Sequence, residues 1–153
     1  MPWPVRVRRL AGRCAAALLF ALMLAAPARA EEPVRGELRV ITDNGFARLI
    51  FRFDQEVEGK AEVSGAIMVI SFKKRVAVDV DRLNASAPDY ISAARRDPDG
   101  TAIRLALARP VKINTIAAAE RLFIDVLPDT WKGMLPGLPQ DVIDELSRRA
   151  ALI

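Results

Sequence analysis

Residues 100–128 read GTAIRLALARPVKINTIAAAERLFIDVLP. The stretch divides into three strand-like runs, Ala102 to Leu107, Lys112 to Ala117 and Leu122 to Leu127. A similar pattern stands 54 positions earlier, so that residues 49–72 fall on 103–126 without a gap. Leu49, Phe51 and Phe53 fall on Ile103, Leu105 and Leu107; Val57 falls on Val111; Met68, Ile70 and Phe72 fall on Leu122, Ile124 and Val126. Few of these pairs are identical, so the repeat is one of hydrophobic pattern. In the first copy Leu49, Phe51 and Phe53 alternate with Arg48, Ile50 and Arg52, the period of a half-buried strand. Each half therefore reads as a small sheet with one apolar face. Two such faces packed together bury each other, which predicts an all-β, two-sheet sandwich with a pseudo-twofold internal repeat.

The rest of the chain fits that plan. Glu37 to Thr42 and Phe46 to Phe53 read as strands joined by the turn Asp43-Asn44-Gly45. Lys60 to Ser64 and Ile67 to Phe72 read as a hairpin around Ser64-Gly65-Ala66. Val76 to Val80 is a further short β-like run, 81–89 reads as loop with room for one helical turn, and Tyr90 to Arg95 reads as a strand before the turn Asp97-Pro98-Asp99-Gly100. Short strands at near-regular spacing are the pattern of a sandwich or barrel.

The N-terminus is of another kind. Arg6, Arg8, Arg9 and Arg13 precede the apolar run Cys14 to Ala26, CAAALLFALMLAA, and Pro27 leads to Ala28-Arg29-Ala30. This is the charged, apolar and small-residue order of a secretory signal, predicted to be cleaved before Glu31. The run of 13 residues is short of a membrane span. The Arg8-Arg9 pair lacks the flanking Ser or Thr and Phe of a twin-arginine signal, so Sec-type export to the periplasm is expected. The expected organisation is a signal peptide over 1–30, a β-sandwich over 31–130, a Pro/Gly linker over 131–140 and a helix over 141–153.

Cleavage changes the charge balance. Five of the 23 basic residues precede Glu31 and no acidic residue does, so residues 31–153 carry 18 basic and 19 acidic groups, a net of −1. That balance does not point to nucleic acid. The only cysteine, Cys14, lies in the signal, and the chain has no histidine. Nucleophile–base pairs built on Cys or His, and zinc sites using those ligands, are excluded from the mature chain. No cofactor and no catalytic residue is expected.

The second half resembles the amidase N-terminal (AMIN) domain. The residues that carry the likeness are Gly100, Thr101, Arg104, Leu105, Pro110, Val111, Arg121, Leu122 and Asp125. The first half departs from the family, with Gln55-Glu56-Val57 where a Pro-Val step is expected, and residues 73–96 align poorly. The resemblance implies a two-sheet, internally symmetric module over 35–130. It implies a non-catalytic role at the cell envelope, through peptidoglycan or an envelope protein. The chain also resembles the opening of larger exported alphaproteobacterial proteins that continue into tetratricopeptide helical repeats. That likeness implies an interaction module of a helical-repeat assembly protein.

Beyond Asp129 the composition shifts. Residues 131–139, WKGMLPGLP, hold two Gly and two Pro, a linker composition. Asp141 to Leu152 reads as a helix, with Asp141, Asp144 and Glu145 early and Arg148 and Arg149 late, as the helix dipole favours. Val142, Leu146 and Ala150 make one apolar face with Ile143 alongside. Val142, Ile143 and Leu146 are the candidate partner surface.

Candidate site residues are few. Arg48, Arg52 and Arg104 project from predicted central strands, and under the repeat they would cluster on one outer face, able to hold an anionic wall polymer or peptide carboxylates. Ordinary polar-out alternation is the competing reading. Asp97-x-Asp99-Gly100 opens like a calcium loop but lacks the further ligands and closing Glu, and reads as a hairpin turn. Asp79 and Asp81 read as part of a solvated face. Trp131 reads as packing on a sandwich edge, with stacking on sugar as the alternative. Asn84-Ala85-Ser86 matches a glycosylation sequon, in a chain whose signal looks bacterial.

Overall fold

A computed structural model describes residues 31–153. The expected signal peptide, with Cys14, lies outside the described residues. Nine strands run in chain order: β1 Val34–Ile41, β2 Ala47–Phe53, β3 Gly59–Ser64, β4 Ile67–Phe72, β5 Val76–Ala77, β6 Ile91–Arg96, β7 Ala102–Leu107, β8 Val111–Ala118 and β9 Arg121–Pro128. Two helices interrupt and follow them, α1 Leu83–Ser86 and α2 Gln140–Ala151. The strands form a five-stranded sheet, β5-β1-β2-β9-β8, and a four-stranded sheet, β3-β4-β7-β6. Every pairing is antiparallel except β1 with β5. The all-β, two-sheet expectation holds.

The inner faces follow from alternation. Leu49, Phe51 and Phe53 of β2 and Leu122, Ile124 and Val126 of β9 meet Met68, Ile70 and Phe72 of β4 and Ile103, Leu105 and Leu107 of β7 in one buried cluster. Phe51, Phe53 and Phe72 form its aromatic centre, with ring centroids 5.7 to 6.1 Å apart. Close packing here demands glycine at Gly36, where a Cβ would lie 2.5 Å from Phe53 Cδ1 and 3.0 Å from Val78 Cγ2.

Some boundaries move for tertiary reasons. β1 begins at Val34 rather than Glu37, because Val34 and Arg35 pair in parallel with Val76 and Ala77. The run Val76 to Val80 is a strand for two residues only; Val78 and Val80 then reach the core from irregular backbone. The helical turn allowed within 81–89 is α1, which buries Leu83.

A second layer lies outside the five-stranded sheet. β9 is buried on both faces along Leu122 to Leu127. The outward Phe123 packs with Ala118, Ile50 and Ile116 against Leu138, Val142 and Leu146. The segment after β9 therefore crosses the sheet and ends in α2 upon it. Among the described residues no helix is long and apolar enough to cross a membrane.

Candidate functional site

Arg48 occupies the outward position of β2 opposite Asp125 of β9. Its guanidinium donates to Asp125 from Nε at 2.6 Å and from Nη2 at 2.9 Å, a bidentate pair. Nη2 also donates to the Gly137 carbonyl at 2.8 Å. Asn114 Nδ2 bridges Asp125 Oδ2 at 3.3 Å and the Pro136 carbonyl at 3.2 Å. The guanidinium lies between the rings of Phe46 and Phe123, 5.7 and 5.3 Å from their centroids. Asp125 is fully buried and Arg48 nearly so. Arg48 is thus a fastening between the sheet and the 136–138 backbone. It is removed from the candidate ligand set, because its charge and donors are already used.

Trp131 belongs to the same fastening. Its ring meets Phe46 edge-on at 5.5 Å and its Nε1 donates to the Met134 carbonyl at 3.3 Å. The edge-packing reading describes this position. The Gly- and Pro-rich composition of 131–139 here serves a strap laid on the sheet.

The arginines expected on one face are divided. Arg52 shares the outer face of the five-stranded sheet with Arg48 and is exposed, beside Glu37 of β1 and Arg121 of β9. Arg104 lies on the other sheet, with its side chain outward from β7, since its neighbours Ile103 and Leu105 are buried. It donates bidentately to Asp97 at 2.9 and 3.1 Å, and that hydrogen bonding raises its pKa above the ordinary arginine value. The reason for the division is topological: β2 and β7 belong to different sheets.

The carboxylates of 97–100 are engaged locally. Asp97 holds Arg104, while Asp99 accepts from Thr101 N at 3.0 Å and Thr101 Oγ1 at 2.8 Å, which lowers its pKa. Gly100 closes the turn at φ +75°. Asp79 accepts from the Asp81 backbone N–H at 2.9 Å, a local turn.

α2 turns its apolar face to the sheet. Val142 is buried and Leu146 partly buried against Phe123, while Ile143 is exposed at 41%. The candidate partner residues are therefore split: Val142 and Leu146 serve the fold, and Ile143 faces solvent. Ion pairs lock the helix, Arg149 to Glu120 at 2.8 Å and Arg121 to Glu145 at 2.9 Å.

Two further arginines emerge only in three dimensions. Arg95 stands opposite Arg104 across β6 and β7, and Arg96 follows it. Both are exposed. With Ile67, Ala93 and Ala106, Arg95 and Arg104 line a shallow groove on the outer face of the four-stranded sheet. The sequence shows the Arg95-Arg96 pair, but nothing local reveals that Arg104 lies beside it. Among the described residues no three His, Cys, Asp or Glu side chains converge as a metal site would require. No family model matches this chain, and no curated protein does.

Proposed function

We propose that this chain is an exported, non-catalytic β-sandwich module of the AMIN kind. It holds its protein at the cell envelope by binding peptidoglycan or an envelope protein in the periplasm. The observation that carries this reading is the contrast between the two outer faces. One is covered around Phe123 by the strap and α2. The other presents Arg95, beside Arg104 with its Asp97 partner, over Ile67, Ala93 and Ala106, an exposed guanidinium on a rigid strand with an apolar floor. Cations on rigid strands suit carboxylate-bearing polymers and peptides.

The internal repeat supports the same reading. The strand order β1-β2-β9-β8 corresponds to β6-β7-β4-β3 when each strand is exchanged for the one about 54 residues away. Under that exchange β2 and β7 become equivalents, as do β4 and β9, as a duplicated half-sandwich requires. The composition of 1–30 supports Sec-type export, and the lack of Cys and His beyond residue 30 supports a role without chemistry.

Co-sedimentation with purified sacculi tests the proposal. The double change Arg95→Gln and Arg104→Gln should weaken retention, and added salt should weaken the wild type, because exposed charges are screened over roughly 10 Å at 0.1 M salt. Undiminished retention of the variant in low salt would end the arginine-based account.

The second reading is an interaction module of a helical-repeat assembly protein, acting through α2. The exposure of Ile143 favours it, since this large apolar side chain points away from the sheet. Ile143→Asp should then abolish assembly with the partner without altering sacculus retention.

A further inference from the structure

The two long sides of the sandwich are built differently. On one side β3 lies against β8. Gly59 of β3 also approaches β9 closely, where a Cβ would meet Leu122 Cδ2 at 2.5 Å. On the other side the edges of β5 and β6 flank a cleft of about 500 Å³, lined by Arg75, Arg95, Arg96, Asp81 and Asp97 among others. β6 is the last strand of its sheet. One row of its backbone N–H and C=O groups therefore lacks a strand neighbour. A register shift between Ile91 and Ala93 disturbs the start of the strand, whereas Ala94 to Arg96 pair regularly with β7.

The side chains on this edge alternate. Arg95 lies opposite Arg104, on the outer face; Arg96 lies opposite the inward Ile103, at the cleft. Among the described residues neither guanidinium makes an ion pair or hydrogen bond. Of the nearby acids, Asp97 is held by Arg104. Beside Arg95 the outer face offers Ile67, Ala93 and Ala106 as an apolar floor.

We propose that the free edge of β6 accepts an acidic, extended segment of a partner protein as an added strand. Adjacent carboxylates of that segment straddle the edge, one reaching Arg95 and the next Arg96. Backbone pairing supplies the affinity and the two arginines the specificity, the usual division in strand addition. An apolar residue two positions from the outer carboxylate falls beside Ala93, because side chains on one face recur every second residue. A second copy of β6 is a poor occupant, since it brings arginines against arginines. The inference deepens the module reading above, and rests on it, by naming the chemistry of a protein partner.

The test uses the purified full chain and an end-capped fluorescent peptide with two adjacent glutamates flanked by valine and threonine. Binding is read by fluorescence anisotropy. The Arg95→Gln/Arg96→Gln variant should keep the wild-type melting curve and bind at least tenfold more weakly. The same peptide with Gln for Glu should lose at least tenfold. N-methylation of alternate peptide residues should abolish binding in one phase and be tolerated in the other. No binding by the wild type, an affinity within twofold in the double variant, or tolerance of both N-methylated phases would overturn the proposal. So would a dimer in sedimentation that the double variant disrupts, which would assign the edge to a second copy. Sacculus retention, measured on the same proteins, reports the wall-binding branch separately: no retention of the wild type with peptide binding intact removes that branch and leaves the strand-addition site standing.

Discussion

Arg48 and Asp125 are 77 residues apart in the chain and 2.6 Å apart in space, in a buried bidentate pair on the outward side of the five-stranded sheet. Their charges are shielded by Phe46 and Phe123 and by the backbone of 136–138. Such a pair matters mostly through what its loss leaves behind. Arg48→Ala or Asp125→Ala strands a charge without its partner and should cost about 3–5 kcal/mol. Replacing both with Met and Leu should cost clearly less than the sum of the singles. Chemical denaturation of the three variants checks this; additive losses would mean the pair is not coupled.

The core offers a sharper packing test than a cavity. Gly36→Ala places a methyl against the Phe53 ring and Val78, both buried, and should destabilise by about 1–3 kcal/mol through overpacking. Phe51→Ala, by contrast, empties a fully buried ring site and should cost about 3–5 kcal/mol. Melting temperatures of the two variants should fall in that order.

The attachment of α2 should depend on pH. Hydrogen bonds from Arg149 to Glu120 and from Arg121 to Glu145 hold both carboxyls below their ordinary value of 4.5. A lowered folded pKa means stabilisation that is present above about 4.5 and is lost as pH falls through the lowered values. Hydrogen exchange at 140–151 should therefore accelerate in that acid window before the strand amides do. Equal acceleration of both would show that the helix has no separate acid sensitivity.

Removing the apolar contact beneath the helix should have a similar local effect. Leu146→Ala loses a partly buried side chain, worth about 1 kcal/mol. Greater exposure of Phe123 should appear as increased binding of a hydrophobic dye. Unchanged dye binding would place α2 outside the cover of that face.

Export carries its own prediction. N-terminal sequencing of protein recovered from the periplasm should begin at Glu31. Retention of Met1 on exported protein would refute cleavage.

Much of the fold is legible because strand alternation is local. Ala102–Leu107 is a strand in both the sequence reading and the structure, and Leu49, Phe51, Ile103 and Leu105 face one core. What was not legible depends on distant partners. Val34 becomes a strand residue only because Val76 lies beside it. Arg48 looks in sequence like Arg52 or Arg104; only Asp125, across β9, makes it an internal fastening. The Gly and Pro of 131–139 mark irregular backbone, but composition does not tell a free tether from a strap fixed by Arg48 and Asn114. The Arg95–Arg104 neighbourhood likewise requires the pairing of β6 with β7.

The pairing of β2 with β9 also sets a timetable. Leu49 waits for Ile124, so the central ladder of the five-stranded sheet cannot form until nearly all the sandwich sequence is free to fold. Long-range closure of this kind is slow and favours late, cooperative completion over stepwise growth from the first residues synthesised. A nascent chain ending before β9 keeps β2 as an unfinished edge. Folding can therefore lag behind synthesis, giving the polypeptide an interval in which it remains pliable enough to be threaded through a narrow pore.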